Sequence, residues 1–201
     1  LKNIKNVFII KEKNESKNFI LRSDITLQIS RLANSRLKHK VRPLKLCYYG
    51  EVIRKKGSML RPERQFLQVG AECIGEKSYL ADVEMLDLAY QALTMVGIKN
   101  ISIELSTSEF LDFLLKKIKQ KNKLDKITSF IRKKDYTSCT KYLDSSLHNY
   151  ASFLLDCTGD LEEKKEILYK LALDENTKIA EEKLLAIYSS FKSKYPEVNF
   201  F

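Results

Sequence analysis

Between positions 64 and 75 apolar and polar side chains alternate as they do along an extended strand. Leu67, Val69, Ala71 and Cys73 fall on one side, and Phe66, Gln68, Gly70, Glu72 and Ile74 on the other. The first side is purely apolar and is expected to lie on a helix layer. The second sets Gln68 and Glu72 on one face with Gly70 leaving room between them. That pattern fits a ligand floor and an ordinary solvent-facing sheet surface equally well. A second strand pattern, Leu44 to Arg54, precedes it across a polar loop, Lys55 to Glu63, that carries Gly57 and Pro62. Two strands joined by one loop read as an antiparallel hairpin.

Upstream, Phe19-Ile20-Leu21 is a short strand, and Ile25, Ile29, Leu32 and Arg36 predict a helix over about 25–38. Downstream, Val83, Leu86, Tyr90, Leu93 and Val96 form the expected buried stripe of a helix near 78–96, stopped by Gly97. Ile101 to Leu105 alternates as a strand. After Ser106 only helical spacing remains, near 108–120, 123–132, 135–147, 161–172 and 174–193, with breaks at Asp135, Thr158, Gly159 and Asp160. Val198 to Phe201 reads as the start of a strand whose sheet partners lie beyond Phe201. The expected organisation is a sheet core with covering helices over 1–106, a helical segment over 107–195, and the start of a further strand over 196–201.

Length and composition narrow the class. With 201 residues, 44% of them hydrophobic, the chain is long enough for one domain with a substantial core. No run of apolar residues approaches membrane-spanning length, and no N-terminal segment has the order of a signal peptide. The start at Leu1 and the apolar end at Phe200-Phe201 read as cut edges of a longer protein. Cys47, Cys73, Cys139 and Cys157 form no Cys-x-x-Cys pair, and the only histidines are His39 and His148, which argues against a zinc site. Cys47 and Cys73 are expected as small buried thiols, and a reducing cytoplasm is the simplest compartment. The net charge of +10 raises a nucleic-acid partner as one reading. The lysines are scattered or sit beside acids, as in Glu162-Glu163-Lys164-Lys165-Glu166, which favours solvated helix faces.

Three motifs carry most of the functional information: Leu21-Arg22-Ser23-Asp24-Ile25-Thr26-Leu27-Gln28-Ile29-Ser30-Arg31, Tyr48-Tyr49-Gly50-Glu51-Val52-Ile53-Arg54, and Arg64-Gln65-Phe66-Leu67-Gln68-Val69-Gly70-Ala71-Glu72-Cys73-Ile74-Gly75. In this order they resemble the class II histidyl-tRNA synthetase-like family, and within it the regulatory subunits of ATP phosphoribosyltransferase. The resemblance covers residues 19 to 106. It implies an α+β fold: a class II synthetase-like antiparallel sheet with flanking helices, a motif 2 hairpin and a helical segment. It also implies a histidine pocket. Asp24 and Thr26 match the groups that receive the ligand's α-amino group. Arg54 matches the motif 2 arginine that faces the carboxylate, and Gln68 and Glu72 match the floor. The chemistry agrees, because a zwitterionic amino acid needs carboxylates for its ammonium and a guanidinium for its carboxylate. Arg64 keeps the family pattern as an anion or loop contact, with Arg61 the weaker candidate. Tyr48 and Tyr49 could line the site, but the commoner role of strand aromatics, packing, is the favoured reading. Ser58 and Thr26 have no histidine nearby in sequence, which gives no nucleophile and base.

Two departures separate the regulatory relatives from the synthetases. The synthetases carry Arg-Pro-Glu-Gly-Thr where this chain has Arg22-Ser23-Asp24-Ile25-Thr26. They also place a glutamate that holds adenine where this chain has Lys56. A cation there removes the acceptor for the adenine amino group. The resemblance therefore implies a non-catalytic subunit in histidine biosynthesis that binds histidine for feedback, uses no cofactor, and partners the short catalytic subunit in a hetero-oligomer built on a homodimer. The alternative is the catalytic core of a histidyl-tRNA synthetase.

Overall fold

The computed structural model describes residues 7–11, 18–55, 57, 62–118 and 121–201. Two compact units divide at Ala81/Asp82.

The N-terminal unit is built from hairpins. β1 (Ile9–Lys11) pairs antiparallel with β2 (Asn18–Ile20), with Ile9 opposite Ile20. α1 (Thr26–Asn34) follows, shorter than its sequence spacing predicts. Then β3 (Leu44–Ile53) and β4 (Gln65–Ile74) pair antiparallel along their full lengths, Leu44 opposite Ile74 and Ile53 opposite Gln65. α1 packs on β4, and Ile25, Ala33 and Val52 are buried. The segment before α1 is strapped to β3: the Ile53 N–H donates to the Arg22 carbonyl at 2.8 Å, and Arg22 Nε donates to the Glu51 carbonyl at 2.8 Å.

The covered face of the hairpin is the opposite of the one expected. Leu67 and Val69 are 60% and 73% exposed, and Tyr49, across from Val69, is 80% exposed. Cys47 shares that face and is exposed rather than buried. Alternation fixes which residues share a face, but not which face is covered. Here α1 and its leading segment lie over Gln68, Gly70 and Glu72, and the described residues of this unit supply no layer for the apolar side.

The second unit is helical. α2 (Tyr79–Met95) ends in a Schellman turn. Gly97 has φ +85°, its N–H donates to the Thr94 carbonyl, and the Ile98 N–H reaches back to the Leu93 carbonyl. Of the predicted stripe, Leu86 and Tyr90 pack against the core and Val83 is half-buried, whereas Leu93 and Val96 are exposed. α3 (Glu109–Lys117), α4 (Leu124–Arg132), α5 (Tyr136–Thr140), α6 (His148–Asp156), α7 (Leu161–Leu171) and α8 (Glu175–Lys194) follow. The aspartates at the breaks act as N-caps: Asp135 accepts from the Ser138 N–H and Asp160 from the Glu162 N–H. Asp174 forms a capping box with Thr177. The Ser138 hydroxyl and N–H hold the Asp135 carboxyl below the usual range, and the Thr177 N–H and hydroxyl do the same for Asp174.

The expected helix over 135–147 is split. Only Tyr136–Thr140 is α-helical, and α6 was not legible in the spacing. Its Tyr150 is buried and donates to the Phe110 carbonyl at 3.1 Å, and burial pushes its phenol up. The chain end also differs. β6 (Asn199–Phe200) finds its partner within the chain, pairing parallel with β5 (Ser102–Ile103). Asp87 of α2 accepts from Lys194 Nζ at 2.8 Å and Tyr195 Oη at 2.6 Å, which ties α2 to the end of α8.

Glu181 on α8 is 6% exposed and has no hydrogen-bond or ion-pair partner among the described residues. Burial, and then the neighbouring Glu182, raise its carboxyl above the usual range. The folded state thus holds this proton more tightly than the unfolded chain. Its contribution is fully present below the unfolded value and is lost as pH rises through the folded one. Glu181→Gln is expected to stabilise the protein by about 1 kcal/mol at pH 7. The gain should vanish in acid, where both side chains are neutral. Urea titrations of the two proteins at pH 7 and pH 4 measure this difference, and a gain equal at both values would remove Glu181 as its source.

Candidate functional site

The polar residues on the covered face of β4 converge on the segment that leads into α1. Asp24 sits at the N-terminus of α1, where its Oδ1 accepts the Thr26 N–H at 2.8 Å and where the helix dipole favours a negative charge. Gln68, 44 residues away in sequence, spends its whole carboxamide on this segment. Its Nε2 donates to Asp24 Oδ2 at 3.3 Å, and its Oε1 accepts the Ile25 N–H at 3.2 Å. Gln68 thereby fixes the direction in which Asp24 points. Thr26 Oγ1 lies 3.1 Å from Tyr48 Oη, and Tyr48 Oη lies 3.4 Å from Glu72 Oε1. Asp24, Thr26, Tyr48, Gln68 and Glu72 are all half-buried, and they form one connected polar network within the N-terminal unit.

The two arginines stand at the mouth of the hairpin. The Arg54 guanidinium lies over the Phe66 ring at 4.9 Å, and its Nε donates to the Ser23 carbonyl at 3.4 Å. That contact brings it to the same segment as Asp24 while leaving it exposed. Arg64 is exposed, and its carbonyl accepts the Arg54 N–H at 2.8 Å. Lys56, Ser58 and Arg61 lie outside the described residues.

The network offers acceptors at one end, from Asp24 and Thr26, a carboxylate on the floor at Glu72, and a guanidinium at the rim. This is the donor and acceptor set of a small zwitterion with a polar side chain. A separate cavity of about 600 Å³ lies among α2, α3 and α8 in the helical unit. Several of its charges are already engaged: Asp82 pairs with Lys183 at 2.6 Å, Glu109 accepts from Thr107, and Asp174 caps α8. Of the α2 acids, Asp82 is held by Lys183, and Asp87 by Lys194 and Tyr195. Among the described residues no group of three or more His, Cys, Asp or Glu side chains is placed to hold a metal ion.

The family model described as histidyl-tRNA synthetase matches residues 2–201. The chain belongs to the histidyl-tRNA synthetase family. Among its relatives in that family is an ATP phosphoribosyltransferase regulatory subunit from Rhodospirillum rubrum, 33% identical over 180 residues, which takes in 89% of this chain and 47% of the relative. The protein of the same name from Rhodospirillum centenum is 50% identical over 86 residues, 43% of this chain and 22% of the relative. The chain thus spans about half or less of the length of the curated relatives it matches. A solved ATP phosphoribosyltransferase regulatory subunit/histidyl-tRNA synthetase from Bacillus halodurans superposes with a TM-score of 0.79 at 25% identity, over 97% of this chain and 52% of that one. An ATP phosphoribosyl transferase complex from Thermotoga maritima shares the fold, with a TM-score of 0.70 at 21% identity over 96% of this chain and 67% of that one. The family's class II synthetase-like fold, α+β, is that of this chain.

The residue that sequence reasoning ranked too low is Tyr48. It reads as a strand aromatic, yet its hydroxyl joins Thr26 to Glu72. The available signal was cross-strand: Tyr48 stands opposite Gly70, the one position of β4 without a side chain. Among the described residues no helix is long and apolar enough to cross a membrane.

Proposed function

We propose that the chain is the synthetase-like part of a non-catalytic ATP phosphoribosyltransferase regulatory subunit, and that it binds histidine at the Asp24–Glu72 network. The observation that carries this reading is the network itself, in which Gln68 and Tyr48 tie Asp24, Thr26 and Glu72 into one half-buried polar cluster. The Rhodospirillum rubrum relative supports the regulatory role, since it is similar along most of the chain. In this reading Asp24 and Thr26 receive the α-amino group, Arg54 faces the carboxylate, Gln68 holds Asp24, and Glu72 accepts from the imidazole. Arg64 lies at the anion side of the rim. The partner is the short catalytic subunit, in a hetero-oligomer built on a homodimer, working in the cytoplasm, where the four free thiols suit a reducing environment. Feedback requires that histidine bind one state of the assembly better than another, because equal affinity for both shifts nothing.

Mixing the intact protein with a short catalytic ATP phosphoribosyltransferase subunit should raise that subunit's turnover, and added histidine should then lower it. A catalytic subunit whose rate ignores the protein at saturating concentration would sink the regulatory reading. Histidine-dependent exchange of pyrophosphate into ATP by the protein alone would replace it with the synthetase reading.

A further inference from the structure

Two hydroxyls and a carboxylate make an ordered chain at the floor of the site. A carboxylate only accepts, so the Tyr48 hydroxyl spends its one proton on Glu72 Oε1. Its contact with Thr26 Oγ1 must then run the other way, with Thr26 as donor. Thr26 has no second proton, so it can meet a ligand only through lone pairs. Glu72, satisfied at Oε1, keeps Oε2 for another donor. The tyrosine reaches both because it lies across Gly70. A Cβ on Gly70 would fall on Cζ and Oη of Tyr48, and no L side chain fits there without moving the ring.

We propose that Tyr48 is a positioning residue: seated over Gly70, it fixes a one-way hydrogen-bond relay from Thr26 to Glu72 that leaves Thr26 only lone pairs for a ligand and holds the Glu72 carboxylate in place with Oε2 free. The chemistry this selects is a ligand with a donor at each end, an ammonium at Thr26 and a ring N–H at Glu72. The assignment rests on the histidine reading for its ligand but not for its geometry. Tyr48 touches neither end of the ligand in this scheme. It acts through Thr26 and Glu72, and Gly70 acts through Tyr48.

The test has an arm without ligand and an arm with it, both on the intact protein. In protein labelled at threonine methyl groups, Glu72→Gln should shift the Thr26 resonance, and that shift should disappear in the Tyr48→Phe and Gly70→Ala backgrounds. In calorimetry, Tyr48→Phe should narrow the preference for histidine over β-(2-thienyl)alanine, which lacks a ring N–H, by roughly tenfold. A Thr26 signal that still follows Glu72 without the tyrosine hydroxyl overturns the relay, and so does an unchanged preference in a protein that binds histidine. Wild type that binds neither amino acid counts against the histidine reading instead, and the methyl shifts then decide the relay alone.

Discussion

Truncating Phe191 to alanine is expected to cost the helical unit about 3–5 kcal/mol, the range for emptying a large aromatic site in a packed core. Phe191 is 1% exposed, on the buried face of α8. Its ring meets Tyr90 of α2 edge-on at 5.7 Å, Phe200 of β6 at 5.6 Å and Tyr195 at 4.9 Å. One side chain therefore joins α2 to the end of α8 and to β6, and none of its three ring neighbours can collapse into the vacated volume without leaving its own partners. Because a domain's whole stability is of order 5–15 kcal/mol, the variant should sit near the edge of folding. In urea the midpoint should fall with the slope unchanged. Leu173→Ala, at a side chain 58% exposed, provides the control and should move the midpoint very little. A Phe191 variant that loses less than about 1 kcal/mol would mean that the cluster is not the organising core of this unit.

What the sequence revealed, and what it did not, divides along local and non-local physics. Period-2 alternation located β3 and β4 to within one residue at each end, and Gly97 and the capping aspartates marked helix ends through chemistry confined to a single turn. The covered face of β4 was not legible, since it depends on where α1 lies. α6 was missed because its approach, Ser145-Ser146-Leu147-His148-Asn149, is poor in helix formers and the helix is held by tertiary contacts of Tyr150 and Ala151. The partner of β6 was not legible because a parallel pair leaves no local trace, and Ser102 meets Asn199 only after six helices have passed. At the site, the family resemblance pointed to Asp24, Thr26, Arg54, Gln68 and Glu72, and the structure joins all of these but Arg54 into one network. Two details needed the fold. Gln68 is consumed in holding Asp24, and Tyr48 enters the network because register sets it against Gly70.

Asp24→Asn is expected to weaken histidine binding by at least about 100-fold, near 3 kcal/mol, which is the loss typical of removing one partner from a desolvated, charge-assisted hydrogen bond. The substitution removes the negative charge that would meet the ligand ammonium. It also disturbs the support of that charge. Asp24 Oδ1 and Oδ2 both accept, from the Thr26 N–H and from Gln68 Nε2. An asparagine must turn its NH2 toward one of these donors, so one of the two contacts becomes donor against donor. Analogues separate this effect from a general loss of the site. Histamine keeps the amine and lacks the carboxylate, so its binding should fall with Asp24→Asn and survive Arg54→Ala. Imidazolepropionate keeps the carboxylate and lacks the amine, so it should show the opposite pattern. Calorimetry on the intact protein with three ligands and two variants yields a crossed table in which each charge has its own signature. An asparagine variant that binds histidine within threefold of wild type would place the ammonium elsewhere, and the pattern of the two analogues would show which end of the ligand had been misassigned.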